Sequence, residues 1–197
     1  MTIAFVTGAM LLYFYSLEKP VRLSVWGSRI KDSTPLKALS DYAFGAASWF
    51  IIYPWILIVG QVAAILTALF FSLPSNDQDA VKMLKGLQGS PYLLSATLLS
   101  IVTLVPILEE LLFRGFLQSW LKNLFGRASA IVVASVIFAF SHFSTDQGIS
   151  NIELLISLFV LSCFLGFVKE KRESLWASIG LHSLFNLISS ILILTLD

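Results

Sequence analysis

The sequence predicts an all-α, polytopic transmembrane helix bundle of about six spans, with a polar cavity inside the membrane. Three observations carry this reading. Of the 197 residues, 57% are hydrophobic and 13% are charged, and the mean hydropathy is +0.85; a soluble domain has roughly 45–50% and 25%. The apolar residues are gathered into stretches near or above the ~20 residues that cross a bilayer. Finally, ionisable side chains recur inside the stretches of the second half, where each costs about 2.5–3.5 kcal/mol at a helix centre and demands a partner.

The first apolar stretch, from about Thr2 to Leu17, is barely long enough to span, and without a basic leader or a small-residue cleavage site it reads as a retained span. Residues 18–41 carry Lys19, Arg22, Arg29, Lys31 and Lys37, with Pro20 and Pro35, and read as an interfacial segment. A second stretch, Tyr42 to Ser72, exceeds one bilayer thickness and has Pro54 as its kink site. Leu73 to Pro91 reads as a polar loop. The third stretch, Tyr92 to Phe125, is again too long for one crossing and is interrupted by Pro106, before Gly126-Arg127 makes a turn. The remaining spans are expected at Ala128–Phe143, Ile152–Val168 and Leu175–Leu196, with Lys169 to Glu173 as a charged connector. The whole chain, 1–197, reads as a single membrane domain: residues 92–196 form its core and residues 1–73 its accessory N-terminal spans.

Loop charge orients the bundle. The loops at 18–41, 122–127 and 169–173 are rich in Lys and Arg, whereas 144–151 has none. The positive-inside rule places the basic loops in the cytoplasm and the protein in a cell membrane. A net charge of +1 excludes nucleic-acid partners, which need a basic patch or stripe. The single Cys163 lies in an apolar run and has no internal disulfide partner.

The polar residues of the apolar segments form a constellation. Glu109, Glu110 and Arg114 fall within six residues of the third stretch. Glu110 and Arg114 are i, i+4 neighbours on one helix face, so they can pair, while Glu109 is turned about 100° away. Both histidines of the chain also lie in apolar segments: His142 ends the fourth, and His182 shares a face with Asn186 in the sixth. Glu109 and His142 are each about 16 residues from the turn at 125–127, so an antiparallel hairpin sets them at one height. A carboxylate and an imidazole converging on one water activate it as a nucleophile, and an imidazole and a carboxamide stabilise a developing oxyanion. The same Glu, His, His set also matches the ligand types of zinc. Gln61, Gln118 and the tryptophans read as structural or interfacial, and Glu153 as a solvated helix start.

Glu109-Glu110-x-x-x-Arg114, Phe138-x-x-x-His142 and His182-x-x-x-Asn186, in this order, resemble the three motifs of the CPBP intramembrane proteases, the family of type II CAAX prenyl endopeptidases and bacterial Abi proteins. Pro106, Phe113-Arg114-Gly115 and Ser174-Leu175-Trp176 add to the resemblance, which covers roughly residues 105–186. It implies a membrane-embedded endopeptidase in which Glu109 and His142 activate water, His182 and Asn186 hold the oxyanion, and Arg114 orients Glu110. The implied substrate is a membrane-associated protein or peptide, lipidated in some members. No cofactor is expected; the alternative is a divalent metal such as zinc on Glu109, His142 and His182. The competing function is a non-catalytic membrane immunity or scaffold protein that uses the same polar core for binding. A transporter would need polar residues through both halves, and the first two stretches offer little beyond Gln61.

Overall fold

The computed structural model describes residues 8–9, 12–13, 15–26, 34–70 and 78–196. The elements are α1 (Lys19–Trp26), α2 (Pro35–Phe70), α3 (Asp79–Gly86), α4 (Pro91–Phe125), α5 (Arg127–Phe140), α6 (Ser150–Arg172) and α7 (Leu175–Thr195), with a 3-10 turn at Thr145–Gln147 before α6. No β-strand occurs among the described residues. Helices α2, α4, α6 and α7 are long and apolar enough to cross a membrane. Their outward faces expose Phe50 and Trp55 of α2, Leu93 and Leu99 of α4, Phe167 of α6 and Ile191 of α7, a surface suited to hydrocarbon rather than water. The expected first span lies largely outside the described residues.

Several boundaries differ from the sequence reading, each for a physical reason. Helix α2 begins at Pro35, which suits a first helical turn because its missing N–H is not needed there, and it runs unbroken through Pro54. The expected fourth span is the 14-residue α5, roughly 21 Å at ~1.5 Å per residue and short of a ~30 Å hydrocarbon core. The expected loop at 73–91 contains α3, whose apolar Ala80, Met83 and Leu84 recur at helical spacing and bury Leu84. The Gly and Pro residues around it mask that period. The expected charged connector at 169–173 is mostly the last turn of α6, which ends where Glu173 adopts a left-handed φ of 51°.

Packing of α7 fixes the rest. It lies between α2 and α6, with Ile52, Ile56, Leu161, Leu165, Val168, Ala177 and Leu181 forming one apolar cluster. The α2–α7 crossing is closed by two glycines. A Cβ on Gly45 would stand 1.8 Å from the Ala177 carbonyl oxygen, and one on Gly180 2.1 Å from that of Tyr42. Small residues let helix backbones approach this closely in membranes.

Two buried charge clusters tie the helix ends at one end of the bundle. Glu170 meets Lys122 at 2.6 Å, Arg127 at 3.3 Å and Lys169 at 3.2 Å, and accepts from Gln118 Nε2 at 3.2 Å. Asp41 accepts from Lys37 and from Arg172 Nε, each at 2.9 Å. The basic segments at 37, 122–127 and 169–172 thus share one end. The opposite end carries α3 and the 141–149 turn.

Gly180→Ala should force α7 away from α2, because the atom in the way is backbone and cannot rotate aside. Overpacking of this kind costs on the order of 1–3 kcal/mol or more. Thermal unfolding in detergent should show a clear fall in Tm, and an unchanged Tm would mean that the two helices do not cross at these glycines.

Candidate active site

The site is built on the middle of α4, which is not a uniform α-helix. Two π-helical stretches, Ser100–Leu104 and Leu111–Gln118, flank the α-helical Val105–Glu110. Such wide turns concentrate at functional sites. Here the first one explains how Pro106 is tolerated. The N–H of Val105 bonds back five residues to the Ser100 carbonyl; in the same pattern residue 106 would bond to Ile101, but proline has no N–H to give. The Ile101 carbonyl is left free and instead accepts a hydrogen bond from Asn186 Nδ2 of α7 at 3.0 Å. Pro106 therefore does not interrupt the helix, as the sequence suggested; it frees an acceptor one turn earlier.

Glu110 points into the protein and Glu109 into a cavity. Glu110 and Arg114 are fully buried, with Glu110 Oε1 3.2 Å from Arg114 Nη1. The same oxygen is 2.9 Å from His182 Nδ1. Arg114 Nη2 donates to the hydroxyl of Ser162 on α6 at 2.8 Å, and the guanidinium lies 4.4 Å from the ring centre of Phe138 on α5. One buried arginine thus links α4, α5 and α6, and the carboxylate it pairs with holds α7.

Glu109 stands between the two imidazoles. Its Oε1 is 3.9 Å from His142 Nε2 and its Oε2 is 3.6 Å from His182 Nε2. The remote ring nitrogens set the tautomers. His142 Nδ1 is 2.9 Å from the Phe138 carbonyl oxygen, and His182 Nδ1 faces the Glu110 carboxylate. Both oxygens can only accept, so each Nδ1 is the nitrogen placed to donate to them, and each Nε2 is turned toward Glu109. Phe138 packs against both rings, with centroids 4.9 Å from His142 and 6.0 Å from His182.

Glu109, His142, His182 and Asn186 line one cavity of about 720 Å³, whose wall also includes Gly60, Gln61 and Ala64 of α2. Glu110 and Arg114 lie behind the wall. Glu109, His142 and His182 are residue types that bind divalent ions, but no group of three or more His, Cys, Asp or Glu side chains among the described residues is arranged to hold one. A carboxylate or carbonyl behind each ring is the usual support of a metal-binding histidine.

Some residues of the site were not legible. Glu153 is not a solvated helix start: it lines the cavity and accepts from Thr67 Oγ1 at 2.9 Å. Ser162 gave no signal in an apolar run, and Ile101 could have been found only from the proline five residues on.

The fold and site define a class: an integral membrane protein with an acid–base cluster inside a helix-bound cavity. Residues 91–188 match the family model of the type II CAAX prenyl endopeptidase Rce1-like proteins, which supports the family that the three motifs resemble. Searches of curated proteins and of solved structures gave no significant match.

Arg114→Ala should leave Glu110 buried without its cation, at a cost on the order of 3–5 kcal/mol. Yield of monodisperse protein and Tm should both fall. Normal yield and Tm with activity lost would instead assign Arg114 to the reacting groups.

Proposed function

We propose that the chain is an intramembrane endopeptidase that hydrolyses a peptide bond of a membrane-associated protein or peptide, lipidated substrates included, in a cell membrane. Residues 92–196 would be the catalytic core and residues 1–73 the accessory helices. The observation that supports this reading best is the position of Glu109, within 3.9 Å of two imidazole nitrogens whose far sides are hydrogen-bonded away.

A water between Glu109 and His142 gives a proton to the Glu109 carboxylate as its oxygen attacks the substrate carbonyl carbon. His142 Nε2 accepts the water's other hydrogen bond and orients it, since its Nδ1 proton is committed to Phe138. The carbonyl oxygen gathers negative charge facing α7. Asn186 uses one amide hydrogen on Ile101 and keeps the other for this oxyanion. His182, when doubly protonated, donates Nδ1–H to Glu110 and offers Nε2–H to the same oxygen. Glu109 then returns its proton to the leaving amine as the C–N bond breaks. Arg114 and Glu110 are positioning residues that act through His182.

A bound divalent ion would supply Lewis-acid polarisation of the carbonyl and a more acidic water. With Glu109 as its ligand and Glu110 tied to Arg114 and His182, no carboxylate of α4 would remain beside the reacting carbonyl as general base. We therefore infer that hydrolysis runs on Glu109 without a metal.

Glu109→Gln keeps size and hydrogen bonding but removes the base. Activity should fall on the order of 10²–10⁴-fold with the fold intact, and full activity in this variant would favour the binding-protein reading. In a separate experiment, protein purified in strong chelator, with metal content measured alongside, should retain its rate. Loss of rate that stoichiometric zinc restores would make His142 and His182 ligands.

A further inference from the structure

The cavity runs beyond the Glu109 cluster toward the end of the bundle that carries α3. Its lining changes on the way. Glu153 at the start of α6, Gln147 of the 3-10 turn and Asp79 at the start of α3 all contribute, and no lysine or arginine is among the described residues lining it. Glu153 takes one hydrogen bond, from Thr67 to Oε1. Gln147 is 4% exposed, and its Oε1 meets no donor. Leaving such an acceptor buried and unpaired costs about 1–3 kcal/mol. Asp79 is already served by hydrogen bonds from Ser144 and Gln147, which hold its carboxyl below the usual range, and has Lys82 3.7 Å away. At this end Gln147 Oε1 is a buried acceptor without a donor, and Glu153 is the lining carboxylate with no cation beside it among the described residues.

We propose that this end of the cavity is a subsite for a basic side chain of the peptide substrate, with Glu153 as its counter-charge and Gln147 Oε1 as an acceptor for its N–H. The proposal rests on the endopeptidase reading and gives it a substrate class. A free terminal carboxylate placed here would meet like charge, whereas an arginine or lysine supplies both the donors and the sign that the wall lacks.

The subsite has a position relative to the cut. Arg114 meets Ser162, Gln118 meets Gly166 and Lys122 meets Glu170, each pair 48 residues apart, so α4 and α6 run side by side and Glu109 is level with Ser157, four residues after Glu153. At ~1.5 Å per residue that is about 6 Å, which an extended peptide at roughly 3.3 Å per residue covers in about two residues. The basic residue belongs about two positions from the bond that is broken.

The experiment uses the full chain in detergent and a set of fluorogenic apolar peptides. One arginine, glutamine or glutamate is walked through five positions on each side of the cut. Wild type should favour arginine over glutamate roughly tenfold or more in kcat/KM at one position about two residues from the cut. Glu153→Gln should bring that ratio close to one, and Glu153→Lys should invert it. Binding of the same peptides to the Glu109→Gln variant, with and without Glu153→Gln, is read by thermophoresis, and Tm reports the fold. Arginine-selective binding that depends on Glu153 without any cleavage would uphold the subsite and overturn the endopeptidase reading. Cleavage whose arginine preference is absent, or survives Glu153→Gln with the fold intact, would overturn the subsite and leave the endopeptidase standing. Unselective binding without cleavage would overturn both.

Discussion

The buried pair of Glu110 and Arg114 is the constraint on which the rest of the molecule depends. Neither charge reaches solvent, so each must be satisfied by protein. The solution uses four helices: α4 provides both charges, α5 stacks Phe138 on the guanidinium, α6 gives the Ser162 hydroxyl, and α7 brings His182 to the carboxylate. A shift of α6 or α7 would break a hydrogen bond to the pair, and a shift of α5 would take the aromatic face off the guanidinium. The pair is thus weak evidence for net stability, because desolvation offsets much of its attraction, and strong evidence for a single allowed arrangement of the helices.

That arrangement does something to the neighbouring residue. Because Glu110 and Arg114 are locked inward, Glu109, one position back on the same helix, is turned to the cavity, with 22% of its side chain exposed. The Glu110 carboxylate fixes the His182 ring by its Nδ1, so the other nitrogen faces Glu109. The tight α2–α7 crossing at Gly45 and Gly180 then sets the height of His182. Position, tautomer and depth of the reacting groups each trace to a contact outside the cavity.

The helical class and the pairing of Arg114 with Glu110 were legible because they follow from composition and i, i+4 spacing alone. The approach of Glu109 to His142 was legible because a tight turn with Gly126 at φ 79° makes the two strands of a hairpin count back equally. Groups that meet across elements distant in sequence were not. Thr67 and Glu153 are 86 residues apart, and nothing in either local pattern marks the contact. Glu153 also sits in the first turn of its helix, where an acidic residue is explained by the dipole alone, so a sufficient local reason hid the other one. Helix α3 was hidden by glycines and prolines at its borders, which punctuate a helix as readily as they make a loop.

The wide turns of α4 bear on how such a chain tolerates change in length. A π turn holds one residue more than the α turn it replaces, and each residue carries about 100° of rotation. Removing one residue from Ser100–Leu104 would restore an ordinary helix locally, with little strain in α4 itself. It would also swing everything from Pro91 to Ser100 round the axis and take the Ile101 carbonyl away from Asn186. Single-residue insertions and deletions are usually absorbed in loops; in this chain the place where one would act most selectively is inside a membrane-spanning helix, where the bundle could close as before around a site whose carboxamide has lost its anchor.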